Sequence, residues 1–168
     1  VLEIPPETLK DTFCRRIRAG QTYSRNEIAD ILVGTVRGYA CLEECGCGND
    51  KVRMETIFYE EGTYWPKVVD NSLIKSSTNY KVLQKQGYFS RDSETVYLSP
   101  EEFIGYLHFK DEPVTNEKSG VFALGVSILA LCLMMPVNCI YNTEQKIMNT
   151  AMLKSFIKTA GNTHGKFV

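Results

Sequence analysis

Residues 121–137, VFALGVSILALCLMMPV, carry no charged side chain, and this run constrains the fold more than any other stretch. As a helix, 17 residues extend roughly 25 Å. A membrane span needs about 20 predominantly apolar residues. Gly125, Ser127 and Pro136 interrupt this run, and no Lys or Arg cluster marks one side of it. A strand of this length would be unusual. The expectation is a buried central helix, about 119–135, with the other helices packed around it and no membrane involvement.

The chain has 168 residues, enough for one domain with its own core. Its 43% hydrophobic and 23% charged residues are ordinary for a globular protein. A formal net charge of -1 argues against nucleic acid as a partner, because such binders carry a basic face. The sequence starts at Val1 with no signal peptide, which suggests a processed chain or a piece of a larger protein. Of the six cysteines, Cys132 sits inside the apolar run, where a thiol acts as a small hydrophobe. A chain this long does not need disulfide staples, so a reducing cytoplasmic setting is expected.

Taken in order, residues 7–19 read as a helix with Leu9, Phe13 and Ile17 on one face, acidic residues early and arginines late. Gly20 ends it. Ser24 and Glu27 form a capping box for a helix over 24–43. Its apolar positions are Ile28, Ile31, Leu32, Val36, Tyr39 and Leu42. Gly34 and Gly38 cost helix propensity, which close packing against another helix would explain. Residues 56–59 and 64–69 suggest one small β-hairpin, and 71–98 a long loop. Ser99-Pro100-Glu101-Glu102 reads as a helix start. Residues 142–160 read as a last helix, capped by Asn142 or Thr143, buried through Ile147, Met148, Ala151, Met152, Ser155 and Phe156, and ended by Gly161. The fold class is mainly α, in one domain over 1–168.

This order of elements resembles the C-terminal lobe of the eukaryotic protein kinases. Residues 1–3 look like the hinge, 7–19 like the helix after it, and 24–43 like the helix before the catalytic loop. Asn49-Asp50-Lys51-Val52-Arg53-Met54-Glu55-Thr56 stands where the family has H-R-D-L-K-x-x-N. Asp70-Asn71-Ser72 stands at D-F-G, Ser99-Pro100-Glu101 at A-P-E, and 117–125 (EKSGVFALG) at the K-S-D-V-x-S-x-G start of the central helix. Lys51 precedes Asp70 by 19 residues, and Thr56 follows Lys51 by five, as the family's Asn follows its Asp. On this resemblance the chain lacks the N-lobe and the last helices.

The departures from the family carry the functional expectation. Kinase chemistry needs a carboxylate to orient the substrate hydroxyl, an Asn and an Asp for magnesium, and a Lys and Gly-rich loop for the phosphates. The carboxylate position holds Lys51, a cation that cannot accept a proton, and the Asn position holds Thr56, a poorer magnesium ligand. The family's His and Arg are Asn49 and Asp50. Asp70 keeps its identity, but Asn71 and Ser72 replace Phe and Gly. Gly120 replaces the Asp that braces the catalytic loop, and Arg53 keeps only the basic type of the catalytic-loop lysine, so it reads as structural. The resemblance therefore implies a catalytically inactive, pseudokinase-like scaffold or protein-interaction domain, with no catalytic residue, cofactor or metal. A fragment of a divergent active serine/threonine kinase and an unrelated helical interaction domain are the alternatives.

Other candidates are weaker. Cys41, Cys45, Cys47 and Asp50 have thiolates for zinc, but C-x3-C-x-C is not the usual knuckle spacing. Glu55, Glu60, Glu61 and Asp70 are more simply a solvated turn, and His108 and His164 are isolated, the latter in an expected frayed tail. Ser90, Ser93, Thr95 and Tyr97 could take phosphate if Lys85 or Arg91 received it. Tyr59, Tyr64 and Trp65 mark a face that a partner protein or a missing segment would cover.

Overall fold

The computed structural model describes residues 7–47, 52–62, 65–68, 89, 95–108 and 118–165. The first helix, α1 (Leu9–Ala19), starts from a Thr8–Asp11 capping box, and Gly20 closes it in the left-handed conformation. Helix α2 (Arg25–Glu44) starts from the Ser24–Glu27 box. Each box satisfies backbone N–H groups that have no partner within the helix. A 3-10 turn (Met54–Thr56) leads into strand β1 (Ile57–Phe58), which pairs antiparallel with β2 (Lys67–Val68). Helix α3 (Pro100–Leu107) is capped by Ser99. Helix α4 (Ser119–Leu133) is followed by a 3-10 turn (Asn138–Ile140) and a second hairpin, β3 (Tyr141–Asn142) with β4 (Ile147–Met148). Helix α5 (Thr150–His164) comes last.

Helix α4 is the expected central helix. Ala123, Val126, Ser127, Leu129, Ala130, Leu131 and Cys132 are buried along it, and it packs on both α2 and α5. At 15 residues it is shorter than the apolar run. It stops at Leu133 because Met134 turns left-handed at φ 53°, two residues ahead of Pro136. Among the described residues no helix is long and apolar enough to cross a membrane.

Three expectations need correction. Two small hairpins are described rather than one. The second occupies residues read as the start of the last helix. Asn142 does accept a backbone hydrogen bond three residues on, from Gln145 at 2.7 Å, as a helix cap would. Lys146 then turns left-handed at φ 55°, and Ile147 and Met148 fold back against Asn142 and Tyr141. The true cap is Asn149, whose Oδ1 accepts from Met152 N at 2.9 Å, and α5 continues past Gly161. His164 is therefore not in a frayed tail: it donates through Nε2 to the Cys132 carbonyl at 3.0 Å, satisfying one of the carbonyls left open at the end of α4.

The second correction concerns the glycines of α2. A Cβ at Gly34 would lie 2.5 Å from Pro66 Cδ, and one at Gly38 would lie 2.5 Å from Val68 Cγ2. The first hairpin, not another helix, requires them. The third concerns the apolar faces. Ile17 and Val36 are exposed, while Arg16 and Thr35 are buried, as are Phe13 and Ile31.

The second hairpin also fixes residues 95–99. Asn138 Oδ1 accepts from Val96 N at 2.7 Å, and Tyr141 donates its hydroxyl to Leu98 O at 2.7 Å. Phe89, Phe103, Tyr106 and Tyr141 stack edge-on or tilted around this contact, with centroids 4.9–5.7 Å apart. Such aromatic pairs add roughly 0.5–1.5 kcal/mol each beyond the area they bury.

Candidate functional site

The region to which the kinase resemblance assigns chemistry is the turn Met54–Thr56 with the elements that hold it. Lys10 of α1 pairs with Glu55 at 2.8 Å, and Tyr59 N donates to Glu7 O at 3.1 Å. Tyr39 reaches the turn from α2. The turn is thus pinned from two helices.

Thr56 is the center of this arrangement. Its hydroxyl donates to Arg53 O at 2.9 Å and accepts from Arg53 N at 3.1 Å. Tyr39 OH lies 3.0 Å away. A hydroxyl has one proton and two lone pairs. Arg53 O also accepts from Thr56 N at 3.0 Å, so either hydroxyl can be the donor in the third contact. Burial pushes the Tyr39 phenol up, against the smaller opposing effect of the Thr56 hydrogen bond. Arg53 uses both its backbone groups on Thr56.

Asn49, Asp50, Lys51, Asp70, Asn71 and Ser72 lie outside the described residues, as do Tyr64, Lys85, Ser90, Arg91 and Ser93. Gly120 is buried in the first turn of α4. Its neighbor Ser119 ties that turn to the cap of α3: Ser99 Oγ and Ser119 Oγ are 3.1 Å apart and both buried. No family model, curated protein or solved structure matches this chain.

The remaining candidates separate clearly. Tyr59 is 5% exposed and belongs to the core, so the aromatic face expected there reduces, among the described residues, to Trp65 at 50%. The Arg37 guanidinium stands 5.7 Å from the Trp65 ring centroid. Thr95 and Tyr97 are buried and therefore closed to a modifying enzyme in this conformation. Cys41 and Cys45 are exposed thiols and Cys47 is half-buried. No group of three His, Cys, Asp or Glu among the described residues is placed to hold a metal ion. Burial pushes the Cys132 thiol up to about 11, so it stays protonated and acts as a packing group. His108 is the C-cap of α3, just past Leu107.

Sequence reading missed Arg16. Its late position in α1 suggested only a favorable interaction with the helix dipole. The structure gives it Glu27, Glu61, the Thr22 carbonyl and the face of Tyr23. Glu61, expected on a solvated turn, is the carboxylate that joins the first hairpin to this cluster.

Proposed function

We propose that this chain is a protein-kinase-like C-terminal lobe that no longer transfers phosphate and serves as a protein-interaction scaffold. The observation that carries this reading is the hydrogen-bonded hydroxyl of Thr56. At the position where the resemblance requires a magnesium ligand, the side-chain hydroxyl is engaged by Arg53 and Tyr39. The sequence adds Lys51 in place of the substrate-orienting carboxylate. A cation there repels a second cation and accepts no proton. The interaction role is supported by the half-exposed Trp65, with Arg37 beside it and Val33 and Val36 exposed on α2. Tryptophan and arginine are enriched among the residues that dominate protein interfaces.

The test is phosphotransfer by the purified chain with magnesium, ATP and a generic serine/threonine substrate. No turnover above buffer is expected. A rate abolished by Asp70→Asn would overturn the reading in favor of a divergent kinase, as would magnesium-dependent ATP binding in the micromolar range.

A further inference from the structure

An apolar groove of about 910 Å³ runs between α4 and α5. Val126, Leu129 and Cys132 line it from α4, and Leu153 and Ile157 from α5. Two glycines widen it: a Cβ on Gly125 or on Gly161 would meet no atom within 4 Å. Ile157 is 56% exposed at the groove, and Val121, one turn before Gly125, is 71% exposed.

Among the described residues, the charge on the two helices that wall this groove has one sign. Helix α4 carries no charged residue, and α5 carries Lys154 and Lys158 with no Asp or Glu. Lys158 lines the groove and Lys154 stands one turn before it, and neither forms an ion pair among the described residues. The walls are helices, whose backbone groups already bond internally. A strand seated here would leave its own N–H and C=O groups without partners against apolar walls. A helix brings its hydrogen bonds with it. Fifteen-residue walls extend about 22 Å, room for several turns of a partner presenting apolar residues at i, i+3 or i+4, and i+7.

We infer that this groove seats an amphipathic helix of a partner protein, with acidic residues along the edge that meets Lys154 and Lys158. The inference deepens the scaffold reading and rests on it for the protein nature of the occupant.

The experiment uses a fluorescein-labeled 16-residue helical peptide with leucines at helical spacing and glutamates on one flank. Its binding to the purified chain is followed by fluorescence anisotropy. Saturable binding is expected, at least tenfold weaker for the same peptide with lysines in place of the glutamates. A Lys154→Glu/Lys158→Glu variant should reverse that preference. Gly125→Leu, which fills open space, should abolish binding while leaving the melting temperature within a few degrees. If Gly125→Leu fails to fold, Ile157→Glu at the rim serves the same purpose. Four outcomes overturn the inference: no binding, equal binding of both peptides, binding that survives a folded groove variant, or displacement of the peptide by dodecanoate at equal concentration. Self-association that Gly125→Leu removes would also overturn it, in favor of a second copy. Phosphotransfer is measured on the same preparation. A chain that binds the peptide and also transfers phosphate loses the scaffold reading and keeps the groove, and a chain that does neither loses the groove alone.

Discussion

Arg16 of α1 lies 2.6 Å from Glu27 of α2, and this pair couples the start of the second helix to the end of the first. The same guanidinium bonds Glu61 and lies 4.1 Å from the Tyr23 ring centroid. Its side chain is only 10% exposed, whereas both carboxylates keep 33%. Removing a buried partner leaves uncompensated charge, which costs about 3–5 kcal/mol in a dry site. The partial exposure of the glutamates moves this case toward about 2 kcal/mol. Arg16→Met should therefore lower stability by about that amount in urea denaturation. A loss below about 0.5 kcal/mol would mean the cluster is no more than a surface ion pair.

The same cluster makes stability depend on pH. Burial is the largest single effect and works to raise the Glu27 and Glu61 pKa values, but the hydrogen bonds and charge of Arg16, together with Ser24 at Glu27 and Arg15 at Glu61, outweigh it in sum. Both therefore titrate below the ordinary 4.5. A depressed folded pKa gives stability that is fully present above the unfolded value and is lost as pH falls through the folded one. Melting temperature should hold steady from pH 7 to about 5 and then fall, and the fall should be shallower in Arg16→Met. Parallel curves for the two proteins would assign the acid sensitivity to other carboxylates.

Much of the backbone plan was legible because it is written locally. Thr8, Ser24 and Ser99 each have an acidic residue three positions later, and each opens a helix with a capping box. The uncharged run gave α4 directly. What was not legible depends on contacts distant in sequence. Asn142 makes the hydrogen bond of a helix cap, yet the chain turns back, because Tyr141 is held by Leu98 O and Asn149 N donates to Ile140 O at 2.6 Å. Arg16 reads as a solvated cation until Glu61 arrives from 45 residues away. The groove was not legible, because it rests on the exposure of Ile157 and on α5 starting at Thr150, after Glu144, and both are set by the fold.

Gly38 and Val68 offer a test of why α2 carries glycines. Alanine in a helix gains about 1 kcal/mol in propensity over glycine. Here its Cβ would sit 2.5 Å from Val68 Cγ2, and overpacking of that kind costs about 1–3 kcal/mol. Gly38→Ala should be net destabilizing in the wild-type background. Combined with Val68→Ala, which removes the opposing methyl groups, it should become neutral or stabilizing. A double-mutant cycle by chemical denaturation measures the coupling, and additivity of the two changes would refute the contact.

Thr56 distinguishes a structural hydroxyl from a vestigial metal ligand. Thr56→Val keeps the side-chain shape and deletes three hydrogen bonds, leaving the buried Tyr39 hydroxyl and the Arg53 N–H without this partner, while Arg53 O keeps the backbone bond from Thr56 N at 3.0 Å. Unsatisfied buried polar groups cost about 1–3 kcal/mol, so the variant should lose about 2 kcal/mol. Tyr39→Phe removes only the phenol from a hydroxyl that keeps its Arg53 contacts, and should lose about 1 kcal/mol. The double variant should lose less than the sum, because the two singles break the same bond. A metal ligand behaves differently: its removal would matter only when magnesium and nucleotide are present. Thermal melts with and without magnesium and ATP separate the two roles. The expected result is the same loss in every buffer, set by the hydrogen bonds that Thr56 makes within its own turn and to α2.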